Sequence, residues 1–226
     1  MKLPKIFNTM KQYIFNLFAI LFLNGTLMAL VAQDIVLPAP DKTGGKPLMQ
    51  ALNERQTTRE FTKDSLTRQQ LSDLLWAGWG INRADKKKRT APSAVNKQEI
   101  DVYVTLPQGL YLYDAESHSL RMINDKDLRM LTGSQSFVAE AAMNLVFVAD
   151  MARLGKKEGE EIKDSDLFMS FSNAGFIAQN IYLYCASADL GCVVRGSIPD
   201  KTLPAEMGLR SNQRIIIEQT VGVPKK

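Results

Sequence analysis

The sequence predicts one mixed domain of strands and helices organised on a single long helix, and three observations carry that prediction. From Asp166 to Gly196 the chain reads DLFMSFSNAGFIAQNIYLYCASADLGCVVRG. Asp164 and Ser165 suit a helix start, no proline interrupts the run up to Gly191, and Gly191 suits the left-handed residue just past a helix end. Ile100 to Leu106 (IDVYVTL) alternates, and GLYLYD at 109–114 pairs with SLRMI at 119–123 across the turn AESH, the pattern of a hairpin. The run NLVFVAD from Asn144 is too apolar for an exposed strand and belongs at the centre of a sheet.

Around the long helix the apolar residues Leu167, Phe171, Phe176, Ile177, Ile181, Leu183, Tyr184 and Leu190 occupy most of the circumference. The helix is therefore expected to be buried on nearly all sides, in a core or at a subunit interface. Ser170, Ala174 and Ala178 recur every four positions, which puts them on one face and lets a second backbone come close. Composition alone asks nothing more of this helix than a place in a core.

The chain has 226 residues, 45% hydrophobic and 23% charged, enough to bury a substantial core in one domain. Of its net charge of +4, three units come from Lys2, Lys5 and Lys11, because residues 1–32 contain no acid. The remaining +1 gives no electrostatic argument for nucleic acid or an anionic membrane as partner. A single histidine, His118, leaves no second imidazole for a zinc site or a histidine relay, and it is expected to be exposed at its turn. Cys185 and Cys192 read as packed thiols, since a bridge would require the helix end to fold back, and their spacing is no metal signature.

Lysines, then the mostly apolar run Tyr13 to Leu23, then Asn24, Gly25 and Thr26 and the segment MALVAQD make the three-part layout of a secretory signal. Residues 1–32 are read as a signal peptide cut after Ala32, which implies export across an inner membrane, a periplasmic location and no membrane contact after cleavage. Met10 is an alternative start. The competing reading is an uncleaved anchor, which needs about 20 apolar residues; Asn16, Asn24 and Thr26 interrupt the run. The absence of twin arginines argues against export in a prefolded, cofactor-loaded state.

Residues 33–46, with LPAPDKTGGK, are expected to form an extended arm, and 47–226 the folded domain. Pro47 opens a short helix to Asn53. It leads into ERQTTREF, where Arg55 and Arg59 stand four apart around the hydroxyls of Thr57 and Thr58. This set can grip a phosphate and a second polar group, or it can be a solvated basic turn. Thr67 and Gln70 make a capping box before LSDLLWAGWG, a helix that Gly78 and Gly80 end. Lys86 to Arg89 read as a solvated loop. In APSAVNKQ, Pro92 fixes the backbone while Ser93, Asn96 and Gln98 offer neutral donors and acceptors to a planar heterocycle; the alternative is an ordinary proline turn. Short helices are expected at 125–131 and 135–142, a charged surface excursion at 156–163, and a final strand with a basic end at 214–226.

ERQTTREF, RTAPSAVNKQ, SNAGFIAQNIYLYCASADLGCVVRG and the terminal QTVGVP, in this order, resemble the nitroreductase family of FMN-dependent oxidoreductases over about residues 47–226. The hairpin GLYLYDAESHSL is similar to the azoline-oxidase-like branch. The resemblance implies an α+β fold, a central antiparallel-dominated sheet flanked by helices, and an intertwined homodimer around a long buried central helix with FMN at the interface. It further implies that Arg55, Gln56 and Thr57 hold the phosphate and ribityl chain, and that Arg59 faces the N1 and C2 carbonyl edge. Pro92, Ser93, Ala94 and Asn96 would come from the partner's loop. Val193, Val194, Arg195 and Gly196 would lie over the ring with backbone amides near N5, and Lys225 would supply a terminal phosphate contact. Many relatives carry glutamate where this chain has Arg195. The implied activity is two-electron transfer by ping-pong from a donor such as NADH or NADPH to a nitroaromatic, quinone or similar small acceptor. An exported flavin carrier without turnover and a peptide-heterocycle dehydrogenase are the alternatives.

Overall fold

A computed structural model describes residues 33–196 and 202–225, and the leader lies outside them. The elements in chain order are β1 (Ile35–Val36), α1 (Leu48–Glu54), α2 (Arg68–Trp79), β2 (Ile81–Arg83), β3 (Lys88–Arg89), β4 (Ile100–Leu106), β5 (Gly109–Asp114), β6 (Ser119–Asn124), α3 (Ser136–Glu140), β7 (Met143–Asp150), α4 (Asp164–Ser187), β8 (Gly191–Arg195), α5 (Leu203–Glu206) and β9 (Gln213–Gly222). Seven strands form one antiparallel sheet in the order β1-β6-β5-β4-β7-β9-β8, and β2 and β3 pair separately.

All eight residues of β7 are buried because both faces of the sheet are covered. Leu145 and Phe147 point into the main core with Ile177 and Ile181 of α4, while Val146 and Val148 point into a second cluster with Leu203 and Met207. That period of two across a doubly covered strand is why the sequence there runs apolar without alternation. Each aliphatic side chain so buried contributes about 1.5–3 kcal/mol.

α2 starts on the predicted box: Gln70 N–H donates to Thr67 Oγ1 at 3.1 Å and Thr67 N–H to Gln70 Oε1 at 2.9 Å. Its Gly78 is needed for the crossing with α4, because a Cβ there would stand 2.9 Å from Ile181 Cγ1.

Several expectations are corrected. α4 ends at Ser187, and the left-handed residue after it is Asp189 (φ 55°), not Gly191, which lies inside β8. Aspartate tolerates that conformation through its short polar side chain. Within its own chain α4 is buried on one face, with Ser170, Asn173, Ala174, Ile177, Ala178, Ile181 and Cys185 inside, whereas Phe168, Phe171 and Phe176 are 70%, 49% and 47% exposed. The predicted helix at 125–131 is a 3-10 turn over Arg129–Thr132, and the one at 135–142 shortens to α3. Lys86 to Arg89 run through a 3-10 turn into β3, not an open loop. His118 is half-buried, its Nε2 2.7 Å from Ser72 Oγ and its Nδ1 3.0 Å from the Tyr113 hydroxyl.

The arm is irregular apart from β1, which adds an edge strand beside β6. At its far end Lys46 Nζ donates to Glu54 Oε2, Asp189 Oδ1 and the Ala186 carbonyl, so the arm is tied to the end of α4.

Candidate functional site

The segment ERQTTREF runs past the C-terminal end of α4 and alongside β8. Thr58 N–H donates to the Cys192 carbonyl at 3.0 Å, Thr62 N–H to Val223 O at 2.8 Å, and Lys225 N–H to Glu60 O at 3.0 Å. The approach is close: a Cβ on Gly191 would stand 2.8 Å from Thr58 Cγ2. Three of the four sequence motifs therefore meet in one place.

Tyr182 joins them. The Arg55 guanidinium lies over its ring, 5.3 Å from the centroid, in cation–π contact. Its hydroxyl accepts Val194 N–H at 2.9 Å, which leaves its proton free to donate to Thr57 Oγ1 at 3.2 Å. Beside it opens a cavity of about 730 Å³ whose wall includes Asn53, Arg55, Gln56, Thr58, Tyr182 and Cys185. A smaller hollow of about 210 Å³ is walled by Arg59, Gln135, Phe137, Val193, Val194 and Gly196, with part of Arg195 behind. Neither Arg55 nor Arg59 has a carboxylate partner among the described residues. Lys225 Nζ is 3.9 Å from Glu140.

The loop Pro92–Asn96 is held elsewhere in the same chain. Ala94 N–H donates to Asn173 Oδ1 at 3.1 Å. The buried carboxylate of Glu99 accepts from Asn173 Nδ2 at 2.7 Å, Ser170 Oγ at 3.1 Å and Ser93 Oγ at 3.3 Å. Asn173 and Tyr182 are nine positions apart, about 13 Å along the helix axis. One chain thus does not bring the Arg55 cavity and the Pro92–Asn96 loop together through α4. Val95 is 91% exposed at φ 51°, with Asn96 and Gln98 also left-handed. A β-branched residue in that conformation is strained and is held by its surroundings, a pattern that clusters at working sites.

Arg195 departs from a docking role. Its side chain turns away from solvent into the core: Nη1 pairs with Glu218 Oε2 at 3.0 Å and reaches the Thr132 carbonyl, Nε donates to Thr220 Oγ1 at 3.0 Å, and Nη2 donates to Asn144 Oδ1 at 3.3 Å. Burial pushes the Glu218 carboxyl up to about 8 despite the guanidinium beside it, and its Oε1 has no partner among the described residues. Burial likewise lowers Arg195. What β8 presents to the hollow at this position is backbone.

Tyr182, Asn173 and Glu99 were not singled out from sequence. Only Glu99 left a trace, as an acid at the edge of the alternating run Ile100 to Leu106. Among the described residues no group of three or more His, Cys, Asp or Glu could hold a metal ion.

An antiparallel sheet carrying one long helix, with a polar cavity walled by Arg55, Glu54 and Asp189 where the helix meets an edge strand, defines an α+β protein. Comparison with known proteins makes this specific. The model of the Nitroreductase family matches residues 52–223. The crystal structure of a provisionally named nitroreductase from Ralstonia eutropha is 45% identical, covering 86% of this chain and 90% of that one with a TM-score of 0.78. A protein of Methanocaldococcus jannaschii with the same provisional name is 29% identical over 166 residues, 69% of this chain and 81% of its own. The NADPH:FMN oxidoreductase of Vibrio harveyi, solved with NAD+, shares the fold at 20% identity, with a TM-score of 0.58 over 79% of this chain and 69% of that one. The chain belongs to the Nitroreductase family, and its class is oxidoreductase.

Proposed function

We propose that the protein is an FMN-dependent oxidoreductase that passes two electrons by ping-pong hydride transfer from a donor such as NADH or NADPH to a nitroaromatic, quinone or similar acceptor. The observation that carries this is a pair of arginines without carboxylate partners among the described residues, Arg55 on the wall of a cavity large enough for a cofactor and Arg59 on the smaller hollow beside β8, in the segment that passes closely over Gly191.

The residues present fit FMN. Arg55 offers a forked cation to a phosphate, Gln56 and Thr57 offer neutral hydrogen-bonding groups to a polyol chain, and Lys225 adds a second cation. Arg59 beside Val193, Val194 and Gly196 supplies positive charge along a backbone edge, the arrangement that stabilises an electron-rich ring. When bound, FMN supplies the two-electron chemistry at N5. Arg55 and Lys225 would bind the group, Arg59 would stabilise its charge, Phe137 and the β8 backbone would shield one side from water, and solvent would deliver the proton that the acceptor takes up.

We infer further that two chains share each site. Phe168, Phe171 and Phe176 on α4 are exposed apolar side chains, as are Leu48 and Met49 on α1, at 62% and 75% exposure. Pairing on α4 would bring the Pro92–Asn96 loop of the partner subunit to the Arg55 cavity that its own chain does not reach. The signal-like leader supports periplasmic export, with a donor other than a nicotinamide as the consequence there. The hairpin of β5 and β6, with its sequence GLYLYDAESHSL, favours the azoline-oxidase-like branch and hence dehydrogenation of a peptide heterocycle as the second reading.

Protein comprising residues 33–226 should purify yellow and dimeric, and should oxidise NADH or NADPH when given a nitro compound or quinone. A colourless dimer that binds no added FMN would reject the proposal. A yellow protein that no nicotinamide reduces would leave an exported flavin carrier in its place.

A further inference from the structure

We propose that Cys185 and Cys192 form a reversible intrachain disulfide, with Cys185 as the attacking thiol and Cys192 as the resolving one, formed by exchange with the disulfide of a small thiol. The thiols are not among the groups assigned to the cofactor, but the reagent reaches them by the same Arg55 cavity.

These are the two cysteines of the chain, both free and both buried. The sequence alone argued against a bridge because the helix end would have to fold back. It does fold back. Asp189 takes the left-handed conformation, Leu190 N–H donates to the Cys185 carbonyl at 2.8 Å, and β8 then runs back along α4. Within β8 the side chains alternate: Leu190, Cys192 and Val194 face the core that contains α4, while Val193 faces the opposite cluster with Phe61. Cys192 therefore faces the last turn of α4, where Cys185 sits in the same buried cluster. Gln219 Nε2 approaches Cys192 Sγ at 3.7 Å and keeps it on that side.

The roles follow from access. Cys185 forms part of the floor of the Arg55 cavity, whereas Cys192 does not line it. A small disulfide entering the cavity meets Cys185 first. The Cys185 thiolate attacks one sulfur of the reagent, whose S–S bond breaks and releases one thiol. The Cys192 thiolate then attacks Cys185 Sγ in the mixed disulfide and releases the second thiol. Two protons leave the protein, which is oxidised by two electrons, and the reagent is reduced to two thiols. Burial raises the Cys185 thiol well above its ordinary value, so the exchange is slow. The product joins the end of α4 to the strand whose backbone walls the hollow beside Arg59, and it fixes those two parts against each other.

The test uses folded protein of residues 33–226, with bound FMN first removed, incubated with oxidised glutathione, quenched in acid, and analysed by intact mass and by thiol titration after unfolding. Wild-type protein should lose both titratable thiols and two hydrogens without gaining an adduct, and dithiothreitol should restore both. Cys192→Ser should stop at one glutathione adduct on Cys185. Cys185→Ser should react at least about tenfold more slowly than Cys192→Ser, because its remaining thiol has no opening to the cavity. Two thiols still free in wild-type protein after the reagent has fully modified it in denaturant would overturn the proposal, as would a stable adduct on both cysteines. The wild-type mass alone decides the matter if either serine variant fails to fold.

Discussion

Replacing Arg195 by methionine removes the centre of the most connected polar cluster among the described residues. The side chain is 4% exposed, and it supplies hydrogen bonds to Glu218, Thr220, Asn144 and both oxygens of Thr132. Methionine fills most of the volume of the arginine stem, so the loss is electrostatic and not a cavity. Glu218, whose Oε1 already has no partner, would then have none on Oε2. Breaking a buried pair of this kind costs about 3–5 kcal/mol. The carboxyl is already held up to about 8 and takes a proton when the guanidinium goes, which keeps the cost near the lower bound, about 3 kcal/mol. That is a large share of a domain's usual 5–15 kcal/mol, roughly. Adding Glu218→Leu should recover most of the loss, since an apolar pair in place of a buried ion pair is often neutral. Urea unfolding of the wild type, the single variant and the double variant measures both quantities. A single variant that costs less than about 1 kcal/mol, or a double variant as damaged as the single, would refute the argument.

Other consequences can be measured alongside. The Glu218 carboxyl is raised from an ordinary 4.5 to about 8, so its protonated form is the one the fold favours; its contribution to stability is complete below pH 4.5 and is lost as pH rises through 8. Unfolding free energy measured across that window should decline in the wild type and decline less in Glu218→Gln. Glu99→Ala leaves Ser93, Ser170 and Asn173 without their shared acceptor; it should cost about 3 kcal/mol and speed amide exchange at Ala94 and Gln98, and unchanged exchange there would show that Glu99 does not hold the loop. Phe176→Glu places a charge on the exposed apolar face of α4 and should yield a monomer in sedimentation that has lost FMN, whereas an intact dimer would move the interface elsewhere.

Much of the fold was legible because it rests on local signals. Thr67 and Gln70 announce α2 by themselves, the alternation of Ile100 to Leu106 marks β4, and an uninterrupted apolar run suffices to centre β7. What was misread depends on distant partners. The helix stop was assigned to Gly191 because glycine is the usual left-handed residue, but Asp189 takes that conformation while Gly191 serves the close pass of Thr58. Periodicity shows that α4 is apolar nearly all round and cannot say that Phe171 and Phe176 lack cover within their own chain. The inward turn of Arg195 requires Glu218, 23 positions away and opposite it on β9, which no local pattern reveals. At the candidate site, motifs nominated the two arginines and the β8 residues; Tyr182, which contacts both Arg55 and Val194, carried no signal of its own in the long helix.

The central claim is that each cofactor site is assembled from two chains, with Arg55 and Arg59 from one and the Pro92–Asn96 loop from the other. Its most direct test mixes two variants, Arg55→Gln/Arg59→Gln and Ser93→Ala/Asn96→Ala, each deficient in FMN binding, and lets their subunits exchange. Equal mixing should restore FMN binding to about a quarter of wild-type sites, because half the dimers are then mixed and each of those carries one intact site of two. Binding that stays at the level of the separate variants after exchange is complete would contradict the claim.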